Sequence, residues 1–79
     1  MNMKQVVRCV NDTLMADVGI QCTNASIERA VREDCANVAG TYPSKREIEL
    51  LIMGDDEGNI PETVVCRFPN LSALISEQF

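Results

Sequence analysis

The sequence predicts a small α+β domain in which a two-helix hairpin is followed by a β-hairpin and a short C-terminal helix, in the order α-α-β-β-α. Three observations support this prediction. Residues 4–39 contain two amphipathic stretches with helical spacing, separated by Gly19. Residues 46–68 contain two stretches of alternating apolar residues, joined by a loop of turn-forming residues. The 79 residues, of which 46% are hydrophobic, are expected to fold as a single domain over residues 1–79.

The first two predicted helices form the hairpin. In residues 4–18, apolar side chains recur at intervals of three and four, at Val7, Val10, Leu14 and Val18. Gly19 ends this helix, because glycine readily adopts the left-handed conformation beyond a helix C-terminus. The second helix covers residues 25–39, with Asn24 as N-cap and Gly40 as its end. Its apolar stripe consists of Ile27, Ala30, Val31, Cys35 and Val38, and its exposed face carries the i,i+4 charge pairs Glu28–Arg32 and Arg29–Glu33.

The stretch 46–68 permits two structures. As a β-hairpin it turns six side chains toward the helices: Ile48, Leu50, Ile52, Val64, Cys66 and Phe68. The loop over residues 54–59, Gly-Asp-Asp-Glu-Gly-Asn, is dense in turn formers, and the β-branched run at 63–65 favours strands. An all-α alternative begins a helix at the capping box of Ser44 and another at Pro61. The loop and the β-branched run favour the hairpin.

A short terminal helix is predicted over residues 71–78. Asn70 is its expected N-cap, and its apolar side consists of Leu71, Leu74 and Ile75.

Missing residue types argue against most catalytic and metal chemistry. Without histidine, the chain lacks the commonest general base and the Ser-His and Cys-His nucleophile pairs. Its four glycines are isolated and make no phosphate-binding loop. No Cys-x2-Cys pair is present, so we expect buried free thiols rather than zinc ligands or disulfides at Cys9, Cys22, Cys35 and Cys66. We therefore expect no enzymatic activity, no cofactor and no metal.

Charge is distributed unevenly along the chain. Residues 1–46 carry six basic and five acidic side chains, whereas residues 47–79 carry one basic and seven acidic, and the net charge is −5. Because nucleic-acid affinity comes largely from Lys and Arg at phosphates, this distribution argues against direct nucleic-acid binding. No stretch is apolar enough for a membrane span or a signal peptide, so we expect a cytoplasmic protein with no membrane partner.

A partner surface is expected on the outer side of the predicted hairpin, where apolar side chains adjoin acidic ones. Its residues are Leu51, Met53, Val65, Asp55, Asp56, Glu57 and Glu62. These features predict a non-enzymatic protein-interaction module, a regulator or inhibitor that covers a basic, nucleic-acid-binding surface of another protein. In size and charge alone, the chain is similar to small acidic inhibitors that phages and mobile elements encode. A homodimer is a further expectation, since so small a core benefits from oligomerisation.

The alternative function is a nucleic-acid-binding transcriptional regulator with a helical or winged-helix-like surface. The residues available for phosphate contacts are Arg29, Arg32, Lys45 and Arg46.

Overall fold

The computed structural model describes residues 1–79 and contains helices only. The α-helices are α1 (Met3–Val18), α2 (Asn24–Asp34), α3 (Lys45–Met53), α4 (Glu62–Arg67) and α5 (Pro69–Ser76), and a π-helical segment, Cys35–Ala39, continues α2. About 70% of the residues are helical and there is no strand. The predicted α+β fold with its β-hairpin is therefore wrong, and the all-α alternative fits.

Helix α3 forms because its capping and its apolar spacing both favour a helix. The Ser44 hydroxyl accepts a hydrogen bond from the Glu47 amide (3.1 Å), and the Glu47 carboxylate accepts one from the Ser44 amide (2.9 Å). Ile48, Leu51 and Ile52 are all buried, as i, i+3 and i+4 positions of one helix face. A strand would have turned Leu51 away from the other two. Leu51 is instead a core residue, only 1% exposed.

The β-branched run at 63–65 lies in α4, where tertiary packing overrides strand propensity. The amides of Val64 and Val65 both donate to the Pro61 carbonyl (3.1 and 3.2 Å), which starts the helix. Val64 and the following Phe68 are buried in the core, whereas Cys66 is exposed. Strand propensity reports how well a side chain packs on a sheet, and here the packing partners are helices. The prediction that Cys66 faces the core is therefore wrong.

The predicted helical hairpin of α1 and α2 is confirmed, with differences at its caps. Gly19 ends α1 with φ of 72°. The cap of α2 is Thr23, whose hydroxyl accepts from the Ser26 amide (3.2 Å), and not Asn24. The Asn11 side chain joins the two helices, because its amide oxygen accepts from the Cys22 amide (3.0 Å) and its amide nitrogen donates to the Asn24 side chain (3.3 Å).

Two valines predicted to be buried are exposed. Val18, at the C-terminus of α1, is 38% exposed, and Val38, in the π-helical segment, is 55% exposed. One turn of a π-helix contains more residues than one turn of an α-helix. The apolar stripe of α2, which repeats every 3.6 residues, therefore does not continue through this segment. The intrahelical pairs predicted on α2 do not form; the ion pair in the structure joins Arg67 of α4 to Glu47 of α3.

The core lies where α2 packs on α5 and α1 packs on both α2 and α3. Its fourteen members are Val6, Val7, Val10, Leu14, Ile27, Ala30, Val31, Ile48, Leu51, Ile52, Val64, Phe68, Leu71 and Ile75. The terminal helix begins at Pro69, two residues earlier than predicted, and Asn70 is not its cap. Its N-terminus is capped instead by the buried carboxylate of Asp34 from α2.

Candidate partner-binding face

Helices α1 and α3 lie side by side and run in the same direction. Lys45, at the start of α3, shares a surface groove with Arg8 and Cys9, in the first half of α1. Met53, at the end of α3, shares another groove with Asp17, near the end of α1. Residue numbers thus increase together along the two helices, and we call this surface the α1–α3 face.

One half of the α1–α3 face is acidic. A groove of about 270 Å³ there is lined by Asp12, Thr13, Ala16, Asp17, Glu49 and Met53. Three of these six residues carry carboxylates, and no cation lines the groove. Met53 is 45% exposed, so an apolar side chain stands beside the carboxylates. We call Asp12, Asp17, Glu49 and Met53 the acidic half.

The other half of the face is basic. A groove of about 290 Å³ is lined by Met1, Gln5, Arg8, Cys9, Asp12, Thr13 and Lys45. Asp12 and Thr13 line both grooves, so the two halves adjoin at the middle of α1. We call Met1, Arg8 and Lys45 the basic half.

Two charges of this face, Lys45 and Asp17, lie at helix ends where their sign is the same as that of the helix dipole. The partial charge of a helix is positive at its N-terminus and negative at its C-terminus. Helix α1 has no acidic residue in its first turn and no basic residue in its last, and α3 also lacks a basic residue in its last turn. Lys45 begins α3, while Asp17 lies in the last turn of α1. Such placement costs about 0.3–1 kcal/mol per charge, so these side chains do not serve helix stability.

The loop after α3 extends the acidic half. The Asp55 carboxylate accepts hydrogen bonds from the amides of Glu57 (2.9 Å) and Asn59 (3.0 Å), and the Asp55 amide donates to the Asn59 carbonyl (2.8 Å). These bonds hold the loop in a tight turn that leaves Asp56 and Glu57 exposed. No group of three acidic or cysteine side chains in the structure is arranged to hold a metal ion.

Two thiols, Cys9 in the basic groove and Cys22 after α1, are poor nucleophiles. Burial raises the pKa of Cys9, although a hydrogen bond with Thr13 and the nearby Lys45 charge oppose this. Burial also raises the pKa of Cys22, and the carboxylate of Glu77 acts in the same direction. Both thiols are therefore protonated at neutral pH, and thiolate chemistry there is disfavoured.

The predicted protein-binding residues do not form one patch. Leu51 is buried in the core and Val65 is half-buried on α4, so neither adds to an exposed surface with Met53. The predicted placement of Leu51 and Val65 on the outer face of a sheet is wrong, because no sheet forms. Four of the predicted acidic residues are exposed: Asp55, Asp56, Glu57 and Glu62.

The sequence-based prediction did not include Asp12, Asp17 and Glu49 of the acidic half. These residues become neighbours only when α1 packs beside α3, and residue spacing along one helix does not reveal that packing. One signal was available, because Asp17 near a helix C-terminus opposes the ordinary preference for cations there.

The residues of the nucleic-acid alternative are dispersed. Arg29 and Arg32 line a groove with Glu33, Ala36 and Asn37, whereas Lys45 lies on the basic half of the α1–α3 face. Arg46 is exposed on α3. Only Phe68 separates α4 from α5, while a helix-turn-helix needs a turn of about three or four residues. Helix α5 contains no Lys or Arg to contact phosphates.

Comparison of the chain with known protein families, curated proteins and solved structures finds no match. No helix in the structure combines the length and the apolar character needed to cross a bilayer.

Proposed function

We propose that this chain is a non-enzymatic protein-interaction module that acts in the cytoplasm as a regulator or inhibitor of another protein. The acidic half of the α1–α3 face binds the partner, and the loop carboxylates at Asp55, Asp56 and Glu57 attract it. The partner presents basic side chains around an apolar one, as a nucleic-acid-binding site does. The observation that carries this proposal is the groove that Asp12, Asp17 and Glu49 line together with the exposed Met53.

Charge complementarity supports the choice of a basic partner. Asp12 and Asp17 are exposed and Glu49 is half-buried, so all three carboxylates can contact Lys or Arg of a partner, and each exposed pair contributes about 0.2–1 kcal/mol. The exposed carboxylates of the loop add long-range attraction, which raises the association rate more than the final affinity. Met53 adds a flexible apolar contact that adapts to different side chains.

The state of the thiols supports the proposed cytoplasmic location and the proposed non-enzymatic role. All four cysteines are free, which suits a reducing compartment such as the cytoplasm. The raised pKa values of Cys9 and Cys22 disfavour a thiolate nucleophile, and the chain has no histidine to act as a base.

The test compares two variants with the same loss of negative charge. Asp17→Asn with Glu49→Gln removes two of the three carboxylates of the acidic half, and Glu28→Gln with Glu33→Gln removes two carboxylates of α2. Each protein captures partners from a lysate of the source cells, and mass spectrometry identifies what co-elutes. We expect the native chain to capture a protein whose recovery falls when Asp17 and Glu49 are replaced. The Kd of its purified complex should rise about tenfold or more in the first variant only.

Salt provides the second measurement. Because the carboxylates of the acidic half contribute Coulomb attraction, the Kd of the purified complex should rise with salt, and less steeply for Asp17→Asn with Glu49→Gln. Capture that is equal for both double variants, or a complex indifferent to salt, would contradict the proposal.

A further inference from the structure

Charges follow the same order along both helices of the α1–α3 face. On α3, Lys45 is followed four residues later by Glu49 and eight residues later by Met53, and all three line the two grooves. On α1, Arg8 is followed four residues later by Asp12. A step of four residues is roughly 6 Å along a helix, at 1.5 Å per residue. The face therefore presents a basic row, an acidic row, and then the end that holds Met53.

These charges are not paired with each other within the chain. Two cation–carboxylate pairs on the face, Arg8–Asp12 and Lys45–Glu49, have i,i+4 spacing. In both, the basic residue comes first, which is the weaker order on a helix. The ion pair that the structure contains joins other residues. Both signs of charge on the face therefore remain available to a partner.

We infer that the partner places an α-helix along this face, antiparallel to α1 and α3. The N-terminal half of that helix carries basic side chains, which meet the acidic half, and its C-terminal half carries an acidic side chain, which meets Arg8 and Lys45. This inference rests on the proposed function, because it describes the segment of the partner that the acidic half binds. The pattern of the helix is Lys or Arg at positions i and i+4 and Asp or Glu at i+8, which repeats the roughly 6 Å spacing of the face.

A helix fits this face better than an extended segment does. An extended peptide that docks on a protein commonly pairs its backbone with the edge of a sheet, and this molecule has no strand. A helix satisfies its own backbone hydrogen bonds and packs beside two other helices as in a bundle. The side chains of Cys9, Thr13 and Ala16, which line the grooves among the charged ones, are short, so a helix can approach the face closely.

The helix dipoles select the antiparallel orientation. Both α1 and α3 end at the acidic side of the face, because Asp17 lies in the last turn of α1 and Met53 is the last residue of α3. The negative ends of these two helices add to the carboxylates there. The N-terminus of a partner helix carries a positive partial charge and is attracted to this end, whereas a parallel helix would bring its negative C-terminus there.

The experiment uses a defined helical probe. It is a fluorescein-labelled peptide of about 16 residues, stapled to hold it helical, with Lys at i and i+4 and Glu at i+8. Fluorescence anisotropy at ~50 mM salt measures its Kd, and far-UV circular dichroism verifies that each protein variant is folded. We expect Arg8→Glu with Lys45→Glu to bind this peptide about tenfold more weakly than the native chain, because the peptide's Glu then meets like charges. Arg29→Glu with Arg32→Glu changes the net charge equally, away from the face, and should not weaken binding.

A second stapled peptide, with Lys in place of the Glu, separates the charge pattern from net charge. The native chain should prefer the first peptide, although the chain has a net charge of −5 and the second peptide is more basic. Net charge alone predicts the reverse preference. Arg8→Glu with Lys45→Glu should prefer the second peptide. A spin label at the N-terminus of the first peptide should broaden the NMR signals of Asp17 and Met53, because the peptide lies antiparallel.

Four results would overturn the inference. The native chain could bind neither peptide, or it could prefer the second one. The spin label could broaden the signals of Arg8 and Lys45 instead, which would show a parallel helix. A proline-containing peptide with the same charges could bind as tightly as the stapled one, which would show an extended segment. Sedimentation velocity could show a dimer that dissociates when the first peptide is added, which would make a second copy the occupant of the face.

The peptides and the capture from a lysate can fail separately. If the peptides bind as expected but no captured protein depends on Asp17 and Glu49, the proposed function fails, while the selectivity of the face for an antiparallel helix stands. If a captured protein does depend on these carboxylates but the native chain does not prefer the first peptide, the proposed function stands and this inference fails.

Discussion

Asp34 shows how one buried charge can define the start of a distant helix. Its side chain is fully buried, with 0% exposed. One carboxylate oxygen accepts from the amide and the side chain of Asn70, and the other accepts from the Leu71 amide, all at 2.9 Å. These two amides are among the first of α5, which lack partners within their own helix. The charge also faces the positive end of the α5 dipole, so its burial is compensated.

Replacement of Asp34 by Ala should lower the free energy of unfolding by about 2–4 kcal/mol, because it leaves buried donors without an acceptor. Asp34→Asn should restore only part of the lost stability, because its side-chain amide nitrogen would face a hydrogen-bond donor. Urea unfolding monitored by circular dichroism measures the change. Glu33→Ala alters the exposed neighbour and should change stability by about 0.5 kcal/mol at most. A similar small effect for Asp34→Ala would show that Asp34 does not hold α5.

Among the structural elements, the loop at 54–59 depends most on backbone conformation. Gly54 has φ of 82° and ψ of −174°, a region that only glycine occupies comfortably. A Cβ atom at this position would lie 2.8 Å from the backbone of Gly58. The sequence Gly-Asp-Asp-Glu-Gly-Asn therefore makes the tight turn expected of a hairpin, but here it joins two helices. Its composition predicts a turn without specifying what the turn connects.

Gly54→Ala should lower the free energy of unfolding by about 2–4 kcal/mol, because it combines an unfavourable φ with a backbone clash. Gly58→Ala is the matched control. It also has a positive φ of 81°, but nothing lies within 4 Å of the added Cβ, so we expect only about 1–2 kcal/mol. Thermal or urea unfolding of both variants tests the difference. Equal effects would mean that the clash relaxes at no cost.

At the scale of the whole molecule, charge placement determines which partners are accessible. The chain has a net charge of −5, and its basic residues occupy separate surfaces. The acidic loop lies at the same end as the acidic half of the α1–α3 face, because it begins at Gly54, directly after Met53 of that half. One end of the molecule thus carries the acidic groove and loop, and the cations of the nucleic-acid alternative are divided, with Arg29 and Arg32 on one surface and Lys45 on another.

We therefore expect no retardation of duplex DNA or single-stranded RNA in a gel-shift assay at ~50 mM salt, a condition that favours phosphate binding. The native chain and Arg46→Ala should behave alike. A retarded band that weakens with salt and is lost in Arg46→Ala would instead support the nucleic-acid-binding regulator.

The local sequence determined the features that depend on near neighbours. The helices at 4–18 and 25–39 follow from 3.6-residue periodicity, and their ends follow from Gly19 and Gly40, whose φ angles are positive. The capping box at Ser44, on which the all-α alternative was based, also indicated a helix correctly. Each of these signals involves residues within one or two helical turns of each other, so it can be identified from the sequence without the tertiary structure.

The tertiary structure alone decided the features that depend on distant partners. Apolar residues at 48–52 fit either a strand or a helix, and burial of Leu51 beside Ile48 and Ile52 selected the helix. The cap of α5 comes from Asp34, 36 residues before Asn70. The acidic half exists only because α3 packs beside α1. Periodicity identifies which side of a helix is apolar, but long-range packing determines which helices meet, and that packing created both the candidate face and the buried cap.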